Sequence, residues 1–514
     1  MRNSVGSKEQ KVFRIAKVLG DASYHVRKCF KPQKYLTLKE LLTIVKIDTS
    51  NINSQVKKNL NTPVSQVSQC GSRMTSNCVA VQFNEDSNEI AKWGAKNGAL
   101  VVFTREHIDG IPCIAVENPE QIYTELCKYY RDKHPVEYVV VAGSIGKTST
   151  KRMVNSVFSA HYKTFNDPEN ENQLPCIGYA VQHVPSGVQY SIQEISEDTP
   201  GCLSQMMTIL SPKIAIITAI DKSHIESFGS EQAVYDEVAT VIKQMPADGV
   251  AIINLDDEII TKYSIDCTIK TISINNSVAD YYAKDITICH DGLHFTIVEN
   301  HSKKEFPIVL NRIYAVHNIY SALYSFAAGV LSNIPYNKCI EGLYKYKTVG
   351  IRQNIYKDIR NKVTIYADCY NAVAKSVKSA IDTASNIPIK GKRIAILGDI
   401  EEAGEFSEDT HIDIIKSIEN SSFDVLITYG NKLKRALDSY KTIRQIEIIA
   451  LDNKKSISNW LKSNINRGDL ILFKASRKSA LETIINDTWW FTYRFKMLPY
   501  YWAIIKWRLT VIIN

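Results

Sequence analysis

The stretch that decides the fold runs from residue 136 to residue 153 and reads VEYVVVAGSIGKTSTKRM. Val136 and residues 138–142 are apolar or aromatic, which is typical of a strand buried on both faces of a parallel sheet. The letters GSIGKT follow at 143–148, and the pattern predicts that a helix begins at once. In such an arrangement the glycines let the backbone approach an anion, and the N–H groups and dipole of the helix N-terminus attract it. The stretch therefore predicts a phosphate cradle.

This predicted cradle carries the side chains that bind a nucleotide together with its metal ion. We expect Lys147 to reach the β- and γ-phosphates and the Thr148 hydroxyl to ligate Mg²⁺. The common motif GxxxxGK[ST] is not met in full, because Val141 stands where its first glycine belongs, and the shorter GxxGKT[ST] remains. An ordinary strand-to-helix turn is the alternative interpretation. The predicted ATP-binding residues of the loop are Gly143, Ser144, Gly146, Lys147, Thr148 and Ser149.

The composition is that of a globular protein with several domains. The 514 residues are enough for about three domains. Hydrophobic residues make up 45% and charged residues 23%, which is ordinary for a soluble chain. The 11 cysteines form no CxxC pair, which argues against a disulfide framework or a zinc site and indicates reduced thiols. We therefore expect a cytoplasmic protein.

The net charge of +8 is concentrated at the two ends of the chain. Residues 1–34 carry nine Lys or Arg against two acids, and residues 488–514 carry four against none. No uninterrupted apolar segment typical of a secretory signal follows the first basic residues. Residues 11–19 instead predict a short basic amphipathic helix, suited to an anionic surface or to packing on its own protein.

The C-terminal tail predicts contact with a membrane surface. Four of the six tryptophans lie between residues 489 and 507, among tyrosines and basic residues that favour the headgroup level. The longest stretch without charge before Lys506 is nine residues, whereas spanning needs about 20. We expect a peripheral contact with the inner membrane face; a tail that covers the C-terminal domain, or a dimer contact, is the alternative.

Strands and helices alternate through the middle of the chain, with polar residues at strand ends. Residues 190–195 read as a strand with Glu194 near its end, and residues 213–220 as a strand followed by the polar letters DKSHIESFGS. Thr199 before Pro200 is typical of a helix N-cap followed by proline at the first helical position. This order predicts a doubly wound sheet whose site lies along the carboxyl edge of the strands.

A further α/β segment begins near residue 345, with predicted strands at 363–367, 393–397, 425–428 and 469–473. The predicted division is a basic extension at 1–34, a small α/β substrate domain at 35–135, an ATP-binding P-loop domain at 136–344, an α/β ligase domain at 345–487 and an aromatic basic tail at 488–514.

Eight segments between residues 35 and 487 resemble, in order, the Mur ligase family, most closely its MurF branch, which adds D-alanyl-D-alanine to a cell-wall precursor. They are AGSIGKTSTK, IQEIS with Glu194, SHIESFGS with His224, AVHNIYSAL with Asn318, GIRQNIY with Arg352, ADCYNA with Asp368, LGDIEEAGEFSEDTH and LFKASR. The last three are similar to DDSYNA, LGDMxELGxxSxxxH and LVKGSR. The resemblance implies a three-domain α/β architecture with a central P-loop doubly wound sheet and a C-terminal Rossmann-like domain.

The resemblance also implies an ATP-dependent carbon–nitrogen ligase. In this family the γ-phosphate passes to a substrate carboxylate, and an amine attacks the acyl phosphate. ATP and Mg²⁺ are then the cofactors, and Lys147 holds the phosphates. Thr148 and Glu194 hold one Mg²⁺, and His224 sits on a second metal that joins the carboxylate to the γ-phosphate.

The remaining site residues follow from the same resemblance. Asn318 is expected to face the adenine, and Arg352 and Asp368 to complete the site; Lys147, His224 and Arg352 are the catalytic set. A plain loop histidine at 224 and a helix-surface asparagine at 318 are the alternatives. The partners implied are a small-molecule or nucleotide-linked peptide acid and an amino acid or dipeptide, bound by a monomer.

The sequence departs from the family at several positions. Most Mur ligases carry a lysine, modified to a carbamate, that bridges to the second metal, and that position falls at Val238. GNxNNxxGxP becomes NDPENENQLP at 166–175, and Ala367, Val373 and Ala475 replace the family's Asp, Asn and Gly. These changes predict a divergent MurF-like ligase whose substrates need not be the usual ones.

Two other functions stay open. A non-catalytic, nucleotide-binding relative that serves as a membrane-associated scaffold is favoured by Val238. A nucleic-acid binder would use the basic ends, but these lack a fold for base readout, and we expect no nucleic-acid partner.

Overall fold

The computed structural model describes residues 36–83, 88–166, 172–220, 228–257, 267–348, 353–358, 362–369, 372–400, 407–441 and 446–489. By their internal contacts these residues divide into two compact units, the first ending at Thr271 and the second beginning at Ile272. His224, Arg352, the predicted N-terminal helix and the tail beyond Trp489 lie outside the described residues.

The first unit opens with a small α/β layer. Its elements are α1 (Leu38–Ile44), α2 (Ser54–Lys58), β1 (Val67–Ser68), β2 (Val79–Val81), α3 (Glu89–Lys96), β3 (Val101–Thr104), β4 (Cys113–Ala115) and α4 (Pro119–Asp132). The strands form a parallel sheet in the order β1-β2-β3-β4. Thr37 and Glu40 form a capping box that fixes the start of α1. Apolar side chains such as Leu41, Val101 and Phe103 are fully buried and pack in one hydrophobic cluster.

The second part of the first unit is a larger parallel sheet. Its elements are β5 (Glu137–Ala142), α5 (Lys147–Phe158), β6 (Thr164–Asn166), α6 (Leu174–Gln182), β7 (Tyr190–Glu194), α7 (Cys202–Leu210), β8 (Ile214–Ile217), α8 (Glu231–Lys243) and β9 (Val250–Asn254). The strand order is β9-β8-β5-β7-β6, and all neighbours are parallel. After β5 the chain forms β6 and β7 on one side of that strand, and then β8 and β9 on its other side, so the strand order reverses at β5. Parallel α/β sheets bind ligands beyond the strand carboxyl ends at such a reversal.

The second unit begins with four strands, the first two of which pair in parallel, and two helices. They are β10 (Thr268–Ser273, which crosses the boundary), β11 (Tyr281–Cys289), β12 (Gly292–Glu299), β13 (Lys304–Asn311), α9 (Asn318–Leu331) and α10 (Tyr336–Lys345). β11 pairs with β12, and β12 with β13, in antiparallel register. Helix α9 is apolar almost all round and is buried along most of its length.

The rest of the second unit is a six-stranded sheet with helices. Its elements are β14 (Asn354–Lys357), β15 (Thr364–Asp368), α11 (Ala374–Asn386), β16 (Arg393–Gly398), α12 (Ser407–Glu419), β17 (Val425–Tyr429), α13 (Asn431–Ser439), β18 (Glu447–Ala450), α14 (Lys454–Asn464), β19 (Leu470–Lys474) and α15 (Glu482–Thr488). The order is β14-β15-β19-β16-β17-β18, parallel except for β14 against β15. The last strand, β19, is inserted between β15 and β16, so the ends of β15 and β19 are neighbours.

One local prediction is wrong. Thr199 does not cap the following helix, because α7 begins only at Cys202, after Gly201 in the left-handed conformation at φ 82°. A side chain distant in sequence caps it instead: the Glu237 carboxylate accepts the N–H groups of Gly201 and Leu203, both at 2.9 Å. The predicted domain boundaries stay a prediction. None of the helices in the described ranges combines the length and apolar character that crossing a bilayer requires.

Candidate active site

The loop after β5 has the backbone of a phosphate cradle. Gly143 and Gly146 have φ values of 113° and 89°, a region that favours glycine. A Cβ on Gly143 would lie 2.5 Å from the Thr218 hydroxyl oxygen, so no larger residue fits there. Ser144 and Ile145 donate their N–H groups to the Ala219 carbonyl at 3.0 and 2.9 Å, which ties the loop to the end of β8. Helix α5 starts directly at Lys147, so its N-terminal N–H groups face the loop.

Lys147 lies in this cradle as a nearly buried cation. Its side chain is 9% exposed, and its Nζ is 3.3 Å from the Glu197 carboxylate, which is fully buried. The other Glu197 oxygen accepts a hydrogen bond from the Ser144 hydroxyl at 2.8 Å. Two residues of the predicted phosphate loop therefore share one carboxylate that the sequence had not pointed to.

A second buried pair lies beside the first. Glu194 ends β7 opposite Val141 of β5, and its carboxylate is 3.7 Å from the Lys151 ammonium in a fully buried ion pair. The Asn172 amide donates to one Glu194 oxygen at 2.9 Å. The other oxygen, which is the one 3.7 Å from the Lys151 ammonium, is buried and accepts no hydrogen bond among the described residues. With only this long ion pair on it, an ionised oxygen in that position can also take a metal cation, because a buried acceptor without a hydrogen bond is costly.

The position predicted for the bridging lysine is part of the core. Val238 is 1% exposed and packs in the main hydrophobic cluster of the first unit. Both oxygens of the adjacent Glu237 accept the backbone N–H groups that cap α7. Neither residue of α8 therefore presents a side chain suited to a metal ion.

In the second unit, Asn318 lies at the start of α9 and is 1% exposed. Its Nδ2 donates to the Ala315 carbonyl at 3.1 Å and to the Gln353 side-chain oxygen at 3.2 Å. Its Oδ1 is buried without a hydrogen-bond partner in the described ranges. The amide is thus anchored by its nitrogen and presents its oxygen for a further contact.

Asp368 ends β15 and is fully engaged. One oxygen pairs with the Lys474 ammonium at 2.9 Å, and the other accepts the N–H of Gln353 at 3.2 Å. Gln353 thereby links Asp368 to Asn318. The next residue, Cys369, donates its thiol to the Phe473 carbonyl at 3.5 Å, and burial raises the pKa of that thiol well above its usual value. Cys369 is therefore a neutral packing residue.

Comparisons with known proteins decide the family. Residues 141–329 match the Mur ligase middle domain, and residues 352–477 match the Mur ligase glutamate ligase domain. The chain belongs to the Mur ligase family. The UDP-N-acetylmuramoyl-tripeptide–D-alanyl-D-alanine ligase of Bacillus subtilis (strain 168) is 29% identical over 376 residues, which cover 73% of this chain and 80% of that protein. Its counterpart in Escherichia coli (strain K12) is 24% identical over 422 residues, covering 80% and 91%.

Solved Mur ligase structures confirm the predicted architecture. A crystal structure of MurF from Acinetobacter baumannii gives a TM-score of 0.74 at 19% identity, covering 89% of this chain and 99% of that one. MurF from Thermotoga maritima in complex with ADP gives 0.69 at 18% identity, covering 85% and 98%. The fold is the Mur ligase α/β architecture, with a central P-loop sheet and a C-terminal Rossmann-like domain. The relatives are named as ligases, which gives the non-catalytic alternative no support.

The structure brings together some of the predicted residues of this Mur ligase and adds others. The loop residues and Glu194 lie in the first unit, Asn318 and Asp368 are linked in the second, and His224 and Arg352 lie outside the described residues. The residues that the sequence analysis missed are Lys151, Asn172, Glu197, Gln353 and Lys474. Lys151 had a signal, since it lies one helical turn after Lys147 on the same face of α5.

One departure from the Mur ligase pattern has a packing explanation. Ala475 stands where the family has glycine, and it is fully buried. A Cβ on Gly398 would lie 2.7 Å from the Ala475 Cβ, so the two positions can hold only one methyl group between them. Because Gly398 has no side chain, it leaves room for the methyl group of Ala475. No contact in the described residues explains Val373.

Proposed function

We propose that this Mur ligase is an ATP-dependent carbon–nitrogen ligase of the MurF type, which joins a carboxylic acid to an amine through an acyl phosphate of the acid. The observation that carries the proposal is Lys147, a nearly buried cation at the head of α5 in a loop with two glycines at positive φ. The names of the relatives support a nucleotide-linked peptide as the acid and a dipeptide as the amine. The reaction then belongs to cell-wall precursor synthesis.

Lys147 and the N–H groups at the N-terminus of α5 hold the ATP phosphates. Phosphoryl transfer needs little covalent help from protein groups, so positioning and charge neutralisation supply most of the catalysis. The Ser144 hydroxyl and the Lys147 ammonium both contact the buried Glu197 carboxylate, so the two donors lie close together in the cradle. The cradle therefore orients the terminal phosphates rather than only attracting them.

The residues present fit a magnesium ion. The Glu194 oxygen that lies 3.7 Å from the Lys151 ammonium accepts no hydrogen bond in the described chain, and Thr148 is a buried residue that carries a hydroxyl. Mg²⁺ takes oxygen ligands of this kind together with water and phosphate oxygens. Bound there, it neutralises charge on the transferred phosphoryl group. Lys151 limits the local negative charge, and Asn172 fixes the orientation of the Glu194 carboxylate. His224 is proposed to hold the second metal.

In the second unit, Asn318 is proposed to face the adenine. Its unsatisfied Oδ1 is an acceptor that matches the exocyclic amino group of the base. We propose that Asp368 acts by positioning, because Lys474 and Gln353 occupy both of its oxygens. Arg352 directly precedes Gln353, so this network also fixes the backbone next to the proposed catalytic arginine.

The test is ligation by the purified full-length protein. UDP-N-acetylmuramoyl-tripeptide, D-alanyl-D-alanine, ATP and Mg²⁺ are combined, the product is detected by mass spectrometry and ADP release is followed. We expect one product and one ADP per bond formed. A panel of amino acids and other dipeptides then defines the amine. ADP binding without turnover for any acid and amine pair would contradict the proposal and favour the scaffold.

We also propose a cytoplasmic monomer whose aromatic basic tail contacts the inner membrane face. The support is the tail's composition of tryptophans, tyrosines and basic residues. We expect the full-length protein to sediment with anionic vesicles at low salt and a variant lacking residues 490–514 not to; Trp489 is kept because it is 4% exposed and packs in the core of the second unit. Equal sedimentation of the two proteins would contradict this role of the tail.

A further inference from the structure

Glu197 places a negative charge inside the phosphate cradle. The residue lies three positions beyond the end of β7, and its side chain is fully buried. Its two oxygens contact the Ser144 hydroxyl at 2.8 Å and the Lys147 ammonium at 3.3 Å. Both contacts are to residues of the loop that is proposed to hold phosphate, so the carboxylate occupies donors that a nucleotide needs.

The four buried charges around the loop cancel one another. Lys147 pairs with Glu197, and Lys151 pairs with Glu194. Without Glu197 the same group would carry one net positive charge and would attract any polyphosphate. With Glu197 an uncomplexed nucleotide brings several negative charges beside two buried carboxylates, and charges repel strongly where water is excluded.

We propose that Glu197 makes the cradle select nucleotide complexed with a divalent cation over free nucleotide. The cation offsets the charge that Glu197 adds, so the complexed nucleotide can take Lys147 and Ser144 while the carboxylate stays buried. The inference rests on the proposed function, because it assumes that this loop binds a nucleotide. It adds a specificity-determining residue that the phosphate-loop motif does not contain.

The selection is tested by calorimetric titration of ADP into the full-length protein, once with Mg²⁺ and once with EDTA. For the unmodified protein we expect binding at least about tenfold weaker in EDTA. In Glu197→Gln the amide keeps the size of the side chain and removes the charge. Binding in EDTA should then tighten, so that the Mg²⁺ and EDTA affinities differ by about threefold or less.

Glu137→Gln is the matched control, because it removes one acid from an exposed position of the same unit, at the start of β5. It should keep the unmodified preference for Mg²⁺. Glu197→Ala is the second variant if the amide is not tolerated, and circular dichroism checks the folding of both. Equal affinity in Mg²⁺ and EDTA for the unmodified protein, or an unchanged preference in both Glu197 variants, overturns the inference alone. Absence of any ADP binding in Mg²⁺ overturns the proposed function as well.

Discussion

The buried Lys147–Glu197 pair of the first unit and the buried Lys474–Asp368 pair of the second unit differ in what surrounds them. Lys147 and Glu197 are 3.3 Å apart in a loop whose glycines adopt positive φ and whose helix begins at the lysine. Lys474 and Asp368 are 2.9 Å apart at the ends of two adjacent strands, and Gln353 takes the remaining oxygen of Asp368. The first pair lies at the N-terminus of α5, whose N–H groups can receive an anion, whereas in the second pair Lys474 and the Gln353 N–H occupy both oxygens of Asp368. A buried ion pair becomes a binding site only where the backbone around it leaves donors for a ligand.

The largest effect is expected when the first pair loses its cation. Lys147→Ala should lower ATP turnover by about a hundredfold to a thousandfold or more, because no other cation of the loop faces the phosphates. The free energy of unfolding should also fall, because the buried Glu197 carboxylate loses its cation and keeps only the Ser144 hydroxyl, so turnover is compared per folded protein. Turnover is measured by ADP release and folding by circular dichroism. Arg152→Ala, on the same helix, is the control and should turn over normally; near-full turnover in Lys147→Ala would remove the cradle from the mechanism.

Breaking the second pair should reduce stability. Lys474→Met leaves the Asp368 charge buried without its cation and should lower the free energy of unfolding by about 3–5 kcal/mol. Adding Asp368→Asn should recover much of this loss, because the buried charge is then gone. Urea denaturation followed by tryptophan fluorescence measures both. Lys284→Met, which breaks the solvent-exposed pair with Glu305 in the same unit, should lower stability far less than Lys474→Met does. Equal losses for the two lysines would mean that burial does not distinguish the pairs.

A smaller loss of stability is expected from the close packing of Gly398 against Ala475, the residue that follows Lys474. Gly398→Ala should lower the free energy of unfolding by about 1–3 kcal/mol, because its Cβ would lie 2.7 Å from that of Ala475. Ala475→Gly combined with Gly398→Ala should restore most of the stability. Thermal denaturation of the two single variants and the double variant measures this coupling. Additive losses in the double variant would show that the two positions do not share the space.

The sequence predicted β5, β7, β8, β15, β16, β17 and β19, because each is a short apolar run that ends in polar residues, but it did not predict β6, β14 or β18. It also predicted the glycine cradle, whose residues are contiguous. Glu197 was missed because its contacts with Ser144 and Lys147 depend on how β7 lies against β5, which no local pattern contains. The Thr199 cap was wrong for the same reason, since Glu237 supplies the cap from another helix. His411 is the opposite case, because it is the last residue of the LGDIEEAGEFSEDTH segment that the sequence analysis recognised. The structure adds its role: the ring nitrogen accepts the Ile400 N–H and so positions the start of that segment.

The smallest expected effect concerns the bridging carbamate that most Mur ligases carry. At the corresponding position Val238 is buried in the core, and Glu237 caps α7, so neither of these two side chains can form a carbamate or hold a second metal. Activity should therefore not change when bicarbonate is added to a bicarbonate-depleted enzyme, and turnover should require a high Mg²⁺ concentration. Initial rates of ADP release across a Mg²⁺ series, with and without bicarbonate, measure both. Val238→Lys should not lower the Mg²⁺ concentration that turnover requires, because it would bury an ammonium among apolar side chains and lower stability. Val238→Ile is the control for the larger size of the side chain. Stimulation of the unmodified enzyme by bicarbonate would show that a lysine elsewhere in the chain carries the carbamate, and would place the second metal away from α8.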